Sequence, residues 1–373
     1  MPSGRAPPSR KGNAEMMSFA QWGNALYSGD KSYRVVPRRK AFVGVAAAVI
    51  VVCFALAGLL GLNRSIEFTG GSQFDVTNVA DQSESTATRA VTGTGLVSSA
   101  KVTRVGSTGV RIQTDSLDTA QTATVRSALA GAYGVDSADV ASSSIGPSWG
   151  SAVTTKAAQS LAIFMALVAL LMTVYFRSWR MAASALLALL HDIAVTVGVF
   201  AIAQAEVSPA TVIGFLTILG YSLYDTVVVF DKVRELTADV YDQKHYTFAE
   251  FVNLAVNQTM VRSINTSVVA LLPVGSILLI GSVLLGTGTL TDISLALFIG
   301  MIAGTYSSIF IASPLLVTFQ EMSRRTQEHN KAVAKQRASA EGPDGEPARV
   351  KVAPIKPGRH LGQAAQPRRR RQR

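Results

Sequence analysis

The segment VSPATVIGFLTILGYSLYDTVVVF, residues 207–230, is apolar along almost its whole length and carries one charged residue, Asp225. A hydrocarbon core about 30 Å thick is crossed by roughly 20 residues of α-helix, so the segment predicts a membrane-spanning helix. A charged side chain at that depth costs about 2.5–3.5 kcal/mol on insertion scales. Asp225 is therefore the first candidate functional residue.

Five more segments of similar length and apolarity lie on either side of this one. They span residues 41–62, 157–176, 181–204, 263–285 and 291–319. The composition agrees, because 48% of the residues are hydrophobic but only 7% are aromatic and 16% charged, a profile typical of membrane proteins. The sequence predicts a polytopic α-helical membrane protein with six transmembrane helices.

The distribution of Lys and Arg predicts which ends of these helices are cytoplasmic. Arg38, Arg39 and Lys40 precede the first helix, and the connectors 177–180 and 231–262 also carry basic residues. The connectors on the opposite side, at 205–208 and 286–290, carry none. Basic residues mark the cytoplasmic side, so we expect residues 1–40, the 231–262 connector and both termini to be cytoplasmic.

Residues 63–155, between the first two helices, have a different pattern. Strands are predicted at 72–78, 98–106, 109–114 and 140–145, and helices at 82–90 and 118–132. They predict a small extracytoplasmic α+β domain, for which a ferredoxin-like β-α-β-β-α-β arrangement is the most economical. The single cysteine, Cys53, lies in the first predicted helix, so packing alone must hold this domain together.

The two ends of the chain carry most of its formal net charge of +11. Residues 1–40 are rich in Pro, Ser, Gly and Arg, with a short interfacial helix predicted at 19–27. Residues 321–373 contain fourteen basic and five acidic residues but few apolar ones, so they predict a disordered tail. Such a tail could be attracted to anionic lipid, or could dock on ribosomal RNA or a partner.

Four ionisable residues lie at membrane depth: His191, Asp192, Asp225 and Arg262. Asp225 and Arg262 are near the inner ends of consecutive helices, so an ion pair between them is geometrically feasible. A permanent pair would only join the helices. A carboxyl that takes up a proton would instead release Arg262 and move a helix, and the residues alone leave both interpretations open.

Polar side chains occupy the same helical faces as this predicted pair. They are Tyr221, Ser222 and Thr226 beside Asp225, and Asn265 and Thr266 beside Arg262. Such groups would hydrogen-bond a buried carboxyl. His191 and Asp192 are adjacent and point about 100° apart on a helix. Asp192 is the second candidate for proton transfer, whereas His191 is equally well explained as a packing residue.

The sequence contains no H-E-x-x-H, no Walker loop and no G-x-G-x-x-G after a strand. Its four histidines form no cluster of metal-ligand spacing. We therefore expect no metal, no cofactor and no nucleotide-driven step, with energy supplied by an ion gradient or a partner. Gly300 and Gly304 predict close helix packing, and Pro273 predicts a kink.

Several strings resemble motifs of the SecD/SecF family of protein-export membrane proteins. SIEFTGG, with Phe68, Thr69, Gly70 and Gly71, is similar to the family's first motif, and GYSLYDTVVVFD at 220–231 to its fourth-helix motif. Residues 257–267, residues 304–314 and the His191-Asp192 pair are similar to further motifs. The resemblance covers about residues 41–320. Ser65, Glu67 and Tyr224 depart from the usual Gly, Asp and Asn.

The resemblance implies a multi-pass subunit of the bacterial Sec translocase in the plasma membrane, one half of an RND-type unit. It would pair with SecD, associate with the SecYEG channel and YajC, and contact the translocating preprotein and membrane lipid. It would use the proton-motive force and no other cofactor, and bind no specific nucleic acid. Asp225 and Arg262 would lie on the proton path.

Two other functions fit the same helices. Half of an RND-type small-molecule exporter would share the buried carboxyl, although such exporters need larger external domains with pockets. A passive scaffold of a membrane complex would use every intramembrane charge structurally. The sequence also leaves open whether the coupling ion is H⁺ or Na⁺.

Overall fold

The computed structural model describes residues 19–106, 108–282 and 288–340. In chain order the elements are α1 (Phe19–Tyr27), α2 (Arg39–Leu60), β1 (Asn63–Arg64), α3 (Ile66–Thr69), β2 (Gly71–Val76), α4 (Glu84–Thr92), β3 (Lys101–Val105), β4 (Gly109–Thr114), α5 (Thr119–Tyr133), β5 (Val140–Ile145), α6 (Pro147–Phe176), α7 (Trp179–Ala203), β6 (Glu206–Val207), α8 (Pro209–Leu236), α9 (Phe248–Ile280), α10 (Gly288–Ser307), α11 (Ser313–Glu321) and α12 (Arg324–Ala340). A π-helical turn, Ser308–Ala312, joins α10 to α11.

Six stretches of the described chain are long and apolar enough to cross a membrane, which confirms the predicted number. They are α2, α6, α7, α8, α9 and the composite of α10, the π turn and α11. More than half of the most apolar window is buried in α7 and in the composite, against 6% in α2 and 11% in α6 and in α9. The composite and α7 therefore form the centre of the bundle, while α2, α6 and α9 lie at its periphery.

Local sequence explains where α8 and α9 begin. Ser208 caps α8 through its side chain and shares a capping box with Thr211, and Pro209 stands in the first turn. Thr247 caps α9 in the same way, with Glu250 as its reciprocal partner. These side chains satisfy backbone N–H groups that have no partner inside the helix.

The small α+β domain between α2 and α6 contains a four-stranded antiparallel sheet in the order β3-β4-β2-β5. With its two helices this is the predicted ferredoxin-like arrangement. Alternate residues of the sheet, among them Phe74 and Ile112, pack against Val125 and Leu129 of α5. The opposite face carries Asp75 and Arg111, and is polar.

Small residues allow the central helices to approach closely. A Cβ on Gly304 would lie 2.8 Å from the Cβ of Ser222, and a Cβ on Gly300 would overlap the side chain of Ile218. Both contacts join α10 to α8. Pro273 lies inside α9, which continues from Phe248 to Ile280 across it.

Three predicted boundaries differ from the structure. The second spanning helix begins at Pro147 rather than 157, because its polar first turns project beyond the apolar segment. The 231–262 connector is mostly helical, since α8 continues to Leu236 and α9 begins at Phe248. Hydropathy detects membrane depth, whereas a helix continues as long as its backbone hydrogen bonds do.

The prediction of a disordered tail is wrong for residues 324–340, which form α12. This helix docks on the connector between α8 and α9. The guanidinium of Arg325 lies 4.1 Å from the ring centroid of Tyr241, whose hydroxyl is 2.8 Å from Thr326 Oγ1. Arg337 donates to Glu250 Oε2 at 2.9 Å. Residues 341–373, and the predicted lead-in before residue 19, lie outside the described residues.

Candidate functional site

Asp225 lies on α8 with its side chain turned into the bundle, where only 6% of the residue is exposed. Ser263 Oγ of α9 donates to Asp225 Oδ1 at 2.6 Å. Ser308 Oγ, in the π turn, donates to Asp225 Oδ2 at 2.5 Å. Both hydroxyls are fully buried, so the carboxyl is held between three helical elements by neutral donors.

Asp192 lies on α7 and is 1% exposed. Its Oδ2 accepts hydrogen bonds from Ser222 Oγ of α8 at 2.6 Å and from Ser307 Oγ of α10 at 2.9 Å. His191 Nδ1 lies 3.3 Å from Asp192 Oδ1. His191 and Asp192 are therefore both buried and in contact, although adjacent positions on a helix diverge.

The two carboxyls and the side chains that hydrogen-bond them form a polar cluster built on shared helices. Ser222 and Asp225 are three residues apart on one face of α8, so the helix of the second carboxyl also supplies a donor to the first. Ser307 and Ser308 are consecutive, and one reaches Asp192 while the other reaches Asp225. The two carboxyl sites therefore share α8 and the composite helix.

The π turn that carries Ser308 has an identifiable cause. Pro314 has no backbone N–H, and its ring would clash with the carbonyl of residue 310 in a regular α-helix. A π turn at Ser308–Ala312 relieves this conflict just before the proline. Such turns are frequent at functional sites.

More hydroxyl groups extend the cluster between α8, α9 and α10. Thr305 Oγ1 donates to Ser267 Oγ at 2.6 Å, and Tyr221 OH donates to the same oxygen at 3.4 Å. Ser267 Oγ donates to the backbone carbonyl of Ser263, and the hydroxyl of Ser263 donates to Asp225. The cluster is therefore polar throughout, and in the part of the chain that the structure describes its only basic side chain is that of His191, with no lysine or arginine.

The predicted Asp225–Arg262 ion pair is not formed. Arg262 is exposed on α9 and has no carboxylate partner among the described residues, while Ser263 faces Asp225 in its place. One helical residue corresponds to a turn of about 100°. Counting residues along the helix predicts the depth of Arg262, but the direction of its side chain depends on how α9 is rotated against α8.

Only some of the predicted supporting polar residues belong to the cluster. Tyr221 and Ser222 belong to the cluster. Asn265 is exposed, and Thr266 donates to the Arg262 carbonyl within its own helix, so neither approaches Asp225. Thr226 is buried, and its hydroxyl has no partner among the described residues.

Sequence reasoning missed the serines and threonines that hold the carboxyls. They are Ser263, Ser267, Thr305, Ser307 and Ser308. Their signal is a hydroxyl residue every fourth position on α9 and a cluster of hydroxyls after Gly304. Both patterns also fit ordinary close packing of helices.

The first family-like motif has a structural place at the base of the external domain. Gly70 has φ +74° and lies against Pro147, where a Cβ would be 2.8 Å from the proline Cα. Across the same contact, a Cβ on Gly150 would lie 2.7 Å from the carbonyl oxygen of Phe68. Thr69 bonds the Ser65 carbonyl nearby. The motif therefore packs the root of the domain against the start of α6.

No cluster of three or more acidic, histidine or cysteine side chains that could hold a metal ion occurs in the described ranges. A buried carboxylate without a cation partner is costly, because its charge has lost the stabilisation of water. A proton removes that cost. Hydroxyl groups can serve either form of the carboxyl, because they both donate and accept hydrogen bonds.

Comparison with known proteins gives a consistent result. The family described as protein export membrane protein SecD/SecF, C-terminal, matches residues 124–322. The protein translocase subunit SecF of Streptomyces coelicolor is 42% identical over 336 residues, covering 89% of each chain. The SecF subunit of Mycobacterium tuberculosis CDC 1551 is 43% identical over 325 residues, covering 84% of this chain and 73% of its own.

A solved structure is also similar. The crystal structure of SecDF, a translocon-associated membrane protein from Thermus thermophilus, superposes with a TM-score of 0.69 at 28% identity. The match covers 78% of this chain and 39% of the SecDF chain. A structure of SecDF in a super-membrane-facing form gives a TM-score of 0.58 at 27% identity, covering 81% and 40%.

Proposed function

The chain belongs to the SecD/SecF family of protein-export membrane proteins, and from this premise we propose that it is the SecF-type accessory subunit of a bacterial Sec translocase. With SecD, it would use the proton-motive force to promote translocation of preproteins and their release on the outer side of the plasma membrane. Both termini would lie in the cytoplasm.

One observation carries the proton-coupled part of this proposal. Asp192 and Asp225 are buried in the centre of the bundle, where serine hydroxyl groups hydrogen-bond each carboxyl and no lysine or arginine of the described residues pairs with either. Proton uptake changes their charge without any large ligand having to enter. One charge crossing 100 mV supplies about 2.3 kcal/mol, enough to bias a conformational equilibrium about fifty-fold.

A partner that covers the peripheral helices fits the exposed face of the molecule. Arg262 lies at membrane depth and is exposed on this chain, and such a cation needs a carboxylate or polar partner in a membrane. SecD would supply the carboxylate or polar partner of Arg262. The Thermus thermophilus relative is a SecDF protein of which this chain matches only part, so the rest of that chain is available to form the second half. SecYEG and YajC would contact the resulting complex.

The alternatives are less well supported. A small-molecule exporter needs a large external binding pocket, whereas the external domain here is one four-stranded sheet with two helices. A passive scaffold would have no use for a buried carboxyl such as Asp225, which among the described residues is hydrogen-bonded by hydroxyl groups alone. The coupling ion is proposed to be H⁺, because a buried carboxyl with neutral hydroxyl partners can take up a proton.

The test is export of a secreted reporter by cells or vesicles that carry Asp225→Asn, with the amount of protein and its association with SecD measured in parallel. We expect export to fall at least tenfold while assembly is preserved, because Asn keeps the shape but cannot exchange a proton. Asp231→Asn is the matched control, since Asp231 is exposed on the same helix. Normal export by the Asp225 variant would support the scaffold instead.

A further inference from the structure

A buried ion pair joins the external domain to the turn between the two helices that carry the carboxyls. Arg111 lies on the polar face of the sheet and bonds Asp75 Oδ1 through Nε at 2.7 Å. Its other nitrogen, Nη1, contacts Glu206 of β6. Gln113 Nε2 donates to the second oxygen of Glu206 at 2.7 Å. The Arg111 and Glu206 side chains are only 14% and 10% exposed.

Backbone contacts fix the same turn to the root of the domain. Strands β1 and β6 pair in parallel, with Asn63 opposite Glu206. Asn63 Nδ2 donates to the Gln204 carbonyl at 2.9 Å, and Ser65 N donates to the Val207 carbonyl at 3.0 Å. The turn is thus attached to the external domain by side chains of the sheet and to the root of that domain by the pairing of β1 with β6.

The turn also contacts the composite helix. Glu206 N donates to Asp292 Oδ1 of α10 at 3.3 Å. Farther along α10 is Ser307, which bonds Asp192. Glu206 therefore stands at the outer ends of α7, α8 and α10, and all three contribute to the carboxyl cluster.

Arg111 keeps its positive charge in this site. Burial acts to lower the pKa of Arg111, but the neighbouring carboxylates of Glu206 and Asp75 more than offset it, so the pKa is raised. Removing one partner of a buried pair leaves an uncompensated charge, which is strongly destabilising. Separating the Arg111 side chain from Glu206 would therefore cost considerable free energy.

We propose that Arg111 and Glu206 are positioning residues that transmit movement of the α7–α8 hairpin to the external domain. This inference rests on the proposed function and adds the route by which a proton at the carboxyls could act on the preprotein side. The hairpin would move as Asp225 or Asp192 changes charge. The sheet, attached through Arg111, would follow by turning about its root at Gly70 and Gly150.

Spin labels measure this transmission directly. In a Cys53→Ser background, Ser142→Cys on the exposed edge strand β5 and Leu279→Cys near the outer end of α9, which lies outside the hairpin, report the distance between the sheet and the rest of the bundle. Both positions are exposed. The distance distribution is measured by pulsed EPR in the reconstituted complex with SecD, with and without Asp225→Asn as a permanently uncharged carboxyl.

We expect Asp225→Asn to shift the mean distance by about 2 Å, the size of typical helix shifts, when the ion pair is intact. Arg111→Gln and Glu206→Gln should each abolish this shift and broaden the distribution. Arg104→Gln is the matched control, because Arg104 is on the neighbouring strand and pairs only with exposed Glu84, and it should keep the shift.

Two results would overturn the inference. One is a shift that is equal with and without the ion pair, and the other is no shift in any variant. If Arg111→Gln does not assemble, Arg111→Lys and Glu206→Gln answer the same question. Loss of export in Asp225→Asn together with no change in distance would reject the transmission route while keeping the proposed function. Normal export in Asp225→Asn would reject the proposed function.

Discussion

Two serines from different helices hold Asp225, and their removal tests whether the hydroxyls matter to the chemistry or only to packing. We predict that Ser308→Ala lowers export severalfold and destabilises the protein by about 1.5–3 kcal/mol, the usual range for a hydrogen bond to a charged group. Export of the reporter and thermal unfolding of the purified complex measure the two effects.

Ser276→Ala is the control for Ser308→Ala. Ser276 is exposed on α9 and bonds only a carbonyl of its own helix, so its loss should change neither export nor stability. Unchanged export in Ser308→Ala would mean that Asp225 works without this donor. Restored export in Ser308→Thr would instead point to the hydroxyl itself.

At single positions, the sequence located the carboxyls but not their partners. Membrane depth follows from counting residues, and it placed Asp225 and Asp192 correctly inside the bundle. Which residue of α9 faces Asp225 depends on helix rotation, where one position changes the direction by about 100°. That is why Arg262 was predicted where Ser263 lies.

Among the helices, the contact of α10 with α8 depends on the absence of side chains at Gly300 and Gly304. We predict that Gly304→Ala destabilises the complex by about 1–3 kcal/mol, the cost of overpacking, because the new Cβ would meet Ser222, which also bonds Asp192. The midpoint of thermal unfolding should fall, and export should fall with it.

Gly220→Ala on α8 is the matched control for this change, since a Cβ there would meet nothing within 4 Å. Alanine is the better helix former, so Gly220→Ala should leave stability unchanged or raise it by up to about 1 kcal/mol. An equal loss in both variants would attribute the effect to helix propensity or expression and not to the contact with Ser222.

The helix α12 shows where composition fails as a predictor. Its residues are polar and basic, which is typical of a disordered tail. A few specific contacts with Tyr241 and Glu250 nevertheless stabilise it on the connector. Contacts of this kind depend on residues far apart in the sequence, so a local pattern cannot reveal them. The long apolar helices, by contrast, are predictable because each is determined by its own composition.

Over the whole molecule, the six spans and the ferredoxin-like domain followed from hydropathy and strand periodicity. The attachment of that domain to the α7–α8 turn did not, because the partners Arg111 and Glu206 are ordinary surface-type residues in sequence. Their burial is a property of how the domain sits on the bundle. The distribution of basic residues among the connectors also predicts the orientation of the chain in the membrane.

Charge asymmetry predicts that the external domain is exported while α12 is cytoplasmic. The short turn 204–208 has no basic residue, whereas 177–180 contains two, and Arg38, Arg39 and Lys40 lie at the start of α2; short basic connectors are retained in the cytoplasm. In a Cys53→Ser background, Ser142→Cys should react with a membrane-impermeant maleimide in intact cells. Lys331→Cys, exposed on α12, should react only after permeabilisation. The opposite labelling would place Asp225 near the outer surface, and proton entry to it would then need a different route.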